Sequence, residues 1–126
     1  MTLEKTRILL VDDEPAILKI VAKRLEASGY EVLTAKDGDE ALKKVKNENP
    51  QLIVLDVMLP KLSGYEVCRW LKSDIRYKKI PVIMLTARAQ ESDEEFGYAC
   101  GTDAYVRKPF RAQELLATIK TFLPQV

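Results

Sequence analysis

Five polar residues, of three chemical kinds, follow apolar runs in this chain. They are the paired carboxylates Asp12 and Asp13, the carboxylate of Asp56, the hydroxyl of Thr86 and the ammonium of Lys108. RILLV precedes the first pair, LIVL precedes Asp56, PVIML precedes Thr86, and AYV comes shortly before Lys108. If those runs are neighbouring parallel strands, every one of these groups emerges at the same edge of one sheet. Carboxylates crowded into one crevice repel, and a divalent cation relieves them. An all-oxygen set that retains waters suits Mg2+. Asp56 closes the most hydrophobic run, which should be the central strand, so it is the expected nucleophile; carboxylates do form acyl-phosphates. In phosphoryl transfer the protein mainly positions the group and stabilises its charge. Mg2+ would supply one clamp, Lys108 a second, and the Thr86 hydroxyl with nearby backbone N–H groups the remainder.

Each residue alone has a plainer reading. Asp12 and Asp13 could cap a helix, Thr86 is a good strand residue, and Lys108-Pro109 could be an ordinary loop. Their joint occurrence at the ends of apolar runs favours the chemical reading. X–Pro bonds are the ones at which a cis peptide costs little, and a cis Lys108–Pro109 bond would aim the lysine into the crevice. Tyr105 could swing between solvent and a pocket near Thr86, although strand tyrosines more often pack half-buried.

The elements needed to position these groups are legible. Residues 7–11 read as a strand buried on both faces. Asp13 or Glu14 can cap the next helix, with Pro15 near its first position. Ile17, Leu18, Val21 and Leu25 form its apolar stripe, and Gly29 ends it. A more polar strand over 31–35 belongs at a sheet edge. Asp37 and Gly38 lead into a helix carrying Ala41, Leu42 and Val45, with KKVK (43–46) a solvated face; Asn49 and Pro50 stop it. Residues 52–55 are the central strand, 60–64 a loop, and the next helix turns Tyr65, Cys68 and Leu71 to one side. Strands over 80–85 and 104–107, a poorly striped helix over 90–100 containing ESDEE, and a helix over 111–123 with Leu115, Leu116, Ile119 and Phe122 complete the chain. Strands alternating with helices imply a parallel sheet covered on both faces. Right-handed crossovers favour a flavodoxin-like doubly wound (βα)5 fold of strand order 2-1-3-4-5. Ligands in such sheets bind at the switch between strands 1 and 3, where Asp12, Asp13 and Asp56 would lie.

Bulk properties agree with one domain over 1–126. The composition is 47% hydrophobic and 31% charged, as in a soluble globular protein. Twenty basic and 19 acidic residues leave a net charge of +1, which argues against direct nucleic-acid binding. No apolar stretch approaches the roughly 20 residues that span a bilayer, and MTLEKTR lacks a secretory signal, so cytoplasmic residence is expected. The chain has no histidine, which excludes a Ser–His–Asp triad and disfavours zinc. Cys68 and Cys100 are expected as buried, apolar-packed residues on helices, and Trp70 as packing or a surface anchor.

Taken together, VDDE, LIVLDVMLP with Gly64, MLTA and YVRKPF resemble the receiver domains of two-component response regulators, in order and spacing over essentially the whole chain. That resemblance makes Asp56 the phosphoacceptor. It makes Asp13 a direct Mg2+ ligand (Mn2+ a possible substitute), Asp12 one acting through water, and Met58 a ligand through its backbone carbonyl. Thr86 and Ala87 fall in the phosphate-binding and switch set, with Tyr105 the second switch residue and Lys108 the phosphate-binding lysine. The family takes its phosphoryl group from a histidine of a sensor kinase or phosphotransfer protein, or from acetyl phosphate. It then alters the surface of the 90–100 helix, fifth strand and last helix toward an effector. It is a signalling switch that catalyses its own phosphorylation and dephosphorylation, not an enzyme acting on other substrates. Met58 and Arg88 match positions that tune dephosphorylation, and their bulk implies a long-lived phosphorylated state.

Some features depart from the winged-helix transcription-factor subfamily. GADDY reads Gly101, Thr102, Asp103, Ala104, Tyr105, and a common arginine is Thr118, which points to a monomer or a weak phosphorylation-dependent dimer. With no linker or effector after the last helix, the chain reads as a stand-alone regulator or an excised receiver. Rival readings fare worse. An Asp-nucleophile phosphatase of the haloacid-dehalogenase type needs a carboxylate where Met58 stands. A flavin binder needs a Gly-rich loop where VDDE stands. A phosphorylation-independent docking module would not need the acids, Thr86 and Lys108 together.

Overall fold

The computed structural model describes residues 5–87 and 100–123. Its strands are β1 (Arg7–Val11), β2 (Glu31–Ala35), β3 (Leu52–Asp56), β4 (Val82–Thr86) and β5 (Ala104–Arg107). The helices among the described residues are α1 (Pro15–Ala27), α2 (Gly38–Glu48), α3 (Gly64–Ser73) and α4 (Ala112–Phe122). All strands pair in parallel in the order β2-β1-β3-β4-β5. The expected topology is therefore observed. The expected helix over 90–100, apart from Cys100, and Arg88 lie outside the described residues.

Strand alternation sorts the apolar runs into two cores. Leu9, Val11, Ile53, Leu55, Val82 and Met84 face one way, toward Ala41 and Val45 of α2 and Val67, Cys68 and Leu71 of α3. Ile8, Leu10, Leu52, Val54, Ile83 and Leu85 face the other, toward Val21 and Leu25 of α1 and Leu115 and Ile119 of α4. Burial on both faces explains why the central strands read as unbroken apolar runs. β2, at the edge, is only partly buried along most of its length.

Helix ends follow the sequence signals with one correction. Asp37 caps α2 by accepting from Glu40 N–H at 2.8 Å, Asn49 closes it in the left-handed region at φ 50°, and Ser63 caps α3 through Glu66 N–H. Pro15 begins α1, but neither Asp13 nor Glu14 caps it: Glu14 stands at the cap position with no side-chain bond. Its N–H instead donates to Asp12 Oδ1 at 2.9 Å, because the Asp12 carboxylate closes the turn immediately before the helix. The strand expected over 80–85 runs instead from Val82 to Thr86. Pro81 has no N–H to give a ladder and contributes only its carbonyl, to Ile53 N–H at 3.0 Å. Cys68 is on α3 as expected, whereas Cys100 lies in a turn next to Gly101, whose φ is +98°. Trp70 stacks on Tyr77 under the ammonium of Lys46, so the 43–46 face is solvated except at that contact and at buried Val45.

Candidate functional site

β1 and β3 end side by side, and their last turns carry the acids. Asp12 follows β1, is fully buried, and is fixed by its N–H donating to Ala35 carbonyl at 3.1 Å. Asp56 is the last residue of β3 and is 4% exposed. Asp13 is exposed at the rim. One carboxylate oxygen from each of Asp12, Asp13 and Asp56 lies within 4.8 Å of the others. The carboxylates thus converge as the sequence expects.

Lys108 reaches this cluster from the far side of the sheet. Its Nζ is 2.9 Å from Asp12 Oδ2 and 3.3 Å from Asp56 Oδ2. Its backbone N–H donates to Thr86 carbonyl at 2.7 Å, and the Lys108–Pro109 peptide is cis. The main chain of the lysine is thereby registered to the end of β4, beside β3. Thr86, 6% exposed, is paired with Arg107. Met84 is paired with Tyr105, so Thr86 and Tyr105 project toward the same face of the sheet. Tyr105 is half-buried against the α2–α3 core. Ala87 is exposed just beyond Thr86, and Met58 is 75% exposed beside the acids. Met58 N–H points to Asp56 Oδ1 at 3.4 Å.

The charge balance of the cluster is unfavourable without a cation. Burial, together with the negative charge of Asp12, raises the Asp56 carboxyl from 3.8 to about 6, against the pull of Lys108 and of Met58 N–H. Burial by itself would lower Lys108, but the hydrogen bond to Asp12 and the charges of Asp56 and Asp12 outweigh it and raise its pKa. One ammonium among three carboxylates leaves a hard-oxygen set that a divalent cation fits. Asp12 already accepts from Glu14 N–H and Lys108 with its two oxygens, whereas Asp13 stands at the open rim.

Two further features shape the site. Gly64 lies so close to β3 that a Cβ there would stand 2.3 Å from Asp56 carbonyl O, so only glycine lets α3 begin where it does. An open apolar groove of about 580 Å³ also adjoins the site, lined by Ile17, Ile20 and Val21 of α1, Ala87, and Lys108–Phe110. Ile20, 68% exposed on α1, forms part of its open wall.

Comparison with known proteins matches most of the chain. Residues 8–120 match the response regulator receiver domain model. The chain is 50% identical to the alkaline phosphatase synthesis transcriptional regulatory protein PhoP of Bacillus subtilis, over 93% of this chain and 48% of that protein. It thus spans about half the length of the curated relatives it matches. A putative response regulator from Chloroflexus aurantiacus superposes with a TM-score of 0.91 at 33% identity, covering 97% of this chain and all of that one. The receiver domain of sensor histidine kinase PA1611 from Pseudomonas aeruginosa, solved with magnesium coordinated in its active-site cleft, gives 0.86 at 30% identity, over 94% and 98%. With its strand order, its convergent acids and this match over most of its length, the chain belongs to the response regulator receiver domain family.

Proposed function

We propose that this receiver domain accepts a phosphoryl group on Asp56 and that the cluster of Asp12, Asp13, Asp56 and Lys108 is the machinery for it. The observation that carries the reading is the Lys108 ammonium, 2.9 Å from Asp12 and 3.3 Å from Asp56, above converging carboxylate oxygens. Asp13, Asp56 and the Met58 carbonyl would hold Mg2+, with Asp12 acting through water and Mn2+ a substitute. When bound, the cation neutralises the carboxylates and shares the incoming phosphate oxygens.

An Asp56 oxygen attacks the phosphorus of a phosphohistidine, the P–N bond breaks, and the electron pair leaves with the imidazole. Because Asp56 titrates near 6, the attacking form is ionised at neutral pH. Lys108 then exchanges its carboxylate contacts for the new phosphoryl oxygens, while the Thr86 hydroxyl and Ala87 N–H complete the cradle. Movement of Thr86 toward the phosphoryl group vacates space on the face it shares with Tyr105. The tyrosine turning inward biases a pre-existing equilibrium that an effector reads. Bulky Met58 shields the acyl-phosphate and lengthens its life; Arg88, the second position expected to tune that rate, lies outside the described residues.

The domain over 1–126 is a single receiver whose donor is a sensor kinase or phosphotransfer protein. The donor histidine must reach Asp56 past the apolar groove of α1 and the Lys108–Phe110 segment, which is where such a protein would lie. The near-neutral charge argues that this chain does not itself contact DNA. The PhoP relative is a transcriptional regulator twice as long, so any DNA contact of a longer protein would be made elsewhere. No described helix is long and apolar enough to cross a membrane, and a cytoplasmic monomer or weak phosphorylation-dependent dimer fits the reading. Incubation with Mg2+ and acetyl phosphate, followed by intact mass, tests it. One added phosphoryl group is expected in the wild type, none in Asp56→Asn, and none after chelation. Equal labelling of Asp56→Asn would sink the assignment.

A further inference from the structure

The loop of residues 57–63 leaves Asp56 and returns to α3. It is closed at its base by Gly64 N–H donating to Val57 carbonyl at 2.9 Å. Its outer side rests on the first turn of α2. Lys61, held at φ 69°, extends to Asp37 Oδ2 at 3.6 Å, and Asp37 Oδ1 is already the cap acceptor for Glu40 N–H at 2.8 Å. One residue further, Leu62 presses against Gly38. A Cβ on Gly38 would stand 2.6 Å from Leu62 Cβ and 2.9 Å from its carbonyl oxygen. The start of α2 and the loop therefore cannot shift independently. The same loop carries Met58, whose N–H meets Asp56 Oδ1 at 3.4 Å.

We infer that Asp37, Gly38 and Lys61 are positioning residues for the cation: the first turn of α2 fixes the 57–63 loop, and through it the Met58 carbonyl, and so sets Mg2+ affinity. The inference rests on the proposed Mg2+ site. Lys61 bonds to Asp37 and not to the acidic cluster, and Gly38 contributes only its lack of a side chain, so the effect travels through the loop. Asp12, Asp13 and Asp56 are held by the ends of β1 and β3 and keep their places when the loop relaxes. The signature is thus weakened cation binding with the chemistry intact. Groups that orient metal ligands from outside typically alter affinity by about 10–100-fold.

Isothermal titration of Mg2+ into the wild type, Asp37→Asn, Lys61→Gln, their double variant, Gly38→Ala and Val45→Ala tests this, with a thermal melt of each. Asparagine caps helices as well as aspartate does, so Asp37→Asn removes the ion pair and spares the cap. The lysine of the pair is exposed and the interaction modest, so Asp37→Asn and Lys61→Gln should each weaken Mg2+ by about threefold, and the double variant by no more than either. Gly38→Ala should weaken it about tenfold. In all four, labelling by acetyl phosphate at saturating Mg2+ should match the wild type. Val45→Ala, a buried position two turns beyond Gly38 on the same helix, should lower Tm and leave Mg2+ affinity unchanged. Unchanged affinity in the loop-side variants, or affinity that simply follows Tm in all of them, overturns the inference. If Gly38→Ala does not fold, the two ion-pair variants still decide it. A wild type that binds no Mg2+ overturns both the inference and the site reading beneath it.

Discussion

Lys108 and Asp12 stand 96 residues apart in sequence, yet the lysine Nζ lies 2.9 Å from Oδ2 of a carboxylate with no exposed surface. The contact ties the last strand's exit to the first strand's exit across the sheet. Removing one member of a buried pair leaves an uncompensated charge, with costs of roughly 3–5 kcal/mol in comparable cases. Lys108→Met should therefore destabilise the metal-free domain by roughly 2–4 kcal/mol. Millimolar Mg2+ should recover part of that loss, because a cation can replace the missing ammonium. Thermal melts with and without Mg2+ check it, and a loss of the same size in both conditions would refute the compensation.

The Asp56 carboxyl holds its proton more tightly in the native state, at about 6, than the ordinary 3.8 of an unfolded chain. Its contribution to stability is therefore fully present below about pH 4 and is lost as pH rises through 6. At pH 8 the ionised group should cost the metal-free native state on the order of 2–3 kcal/mol. Asp56→Asn should thus be more stable than wild type at pH 8, with the gap closing by pH 4. Denaturant titrations across that range without divalent cations measure it. A gap that widens toward low pH would reverse the sign and defeat the argument. Protons should also compete with Mg2+, so apparent Mg2+ affinity should fall between pH 7 and 5.

The α1 groove offers a way to separate a protein donor from a small one. Ile20 is 68% exposed, so Ile20→Glu should leave Tm nearly unchanged. It should slow transfer from a phosphorylated kinase or phosphotransfer protein by about tenfold, the effect of roughly 1.4 kcal/mol at an apolar contact. Labelling by acetyl phosphate should be untouched. Equal slowing with both donors would place the defect in the site itself.

Gly64 gives a sharper structural test. A methyl group there would stand 2.3 Å from Asp56 carbonyl O and 2.9 Å from Val57 Cα, both backbone atoms that cannot rotate aside. Gly64→Ala should cost more than about 2 kcal/mol and displace Asp56, so that labelling by acetyl phosphate falls even where the domain remains folded. Gly29→Ala is the contrasting case: it meets no atom within 4 Å and suffers only from its φ of +98°. Labelling of Gly29→Ala should stay at the wild-type level.

Much of the fold was legible because both faces of the sheet are buried. That condition writes β1, β3 and β4 as apolar runs, and the acids stand out because they interrupt those runs at their carboxyl ends. Asp56 and Thr86 were readable for this reason, and Lys108 because it follows the last run at a proline. The capping of α1 was misread because a carboxylate before a helix has two possible uses, and Asp12 takes the turn while also pairing with Lys108. The placement of Cys100 in a turn was missed because a buried cysteine carries no signature of its backbone. Least visible was the seat of the 57–63 loop on α2. It is made by two adjacent pairs, Asp37-Gly38 and Lys61-Leu62, more than twenty residues apart in sequence, whose types are common everywhere and whose meaning is only in their distances.

The order in which the site's residues are made has a consequence for biosynthesis. A ribosome delivers Asp12, Asp13 and Asp56 well before Lys108, which bridges to Asp12 across 96 residues. A growing chain can present its carboxylates to a cation while still lacking the ammonium that faces them. Competence to receive a signal then arrives only with β5 and the turn after it, so unfinished chains should stay silent to the kinase that reads the completed domain.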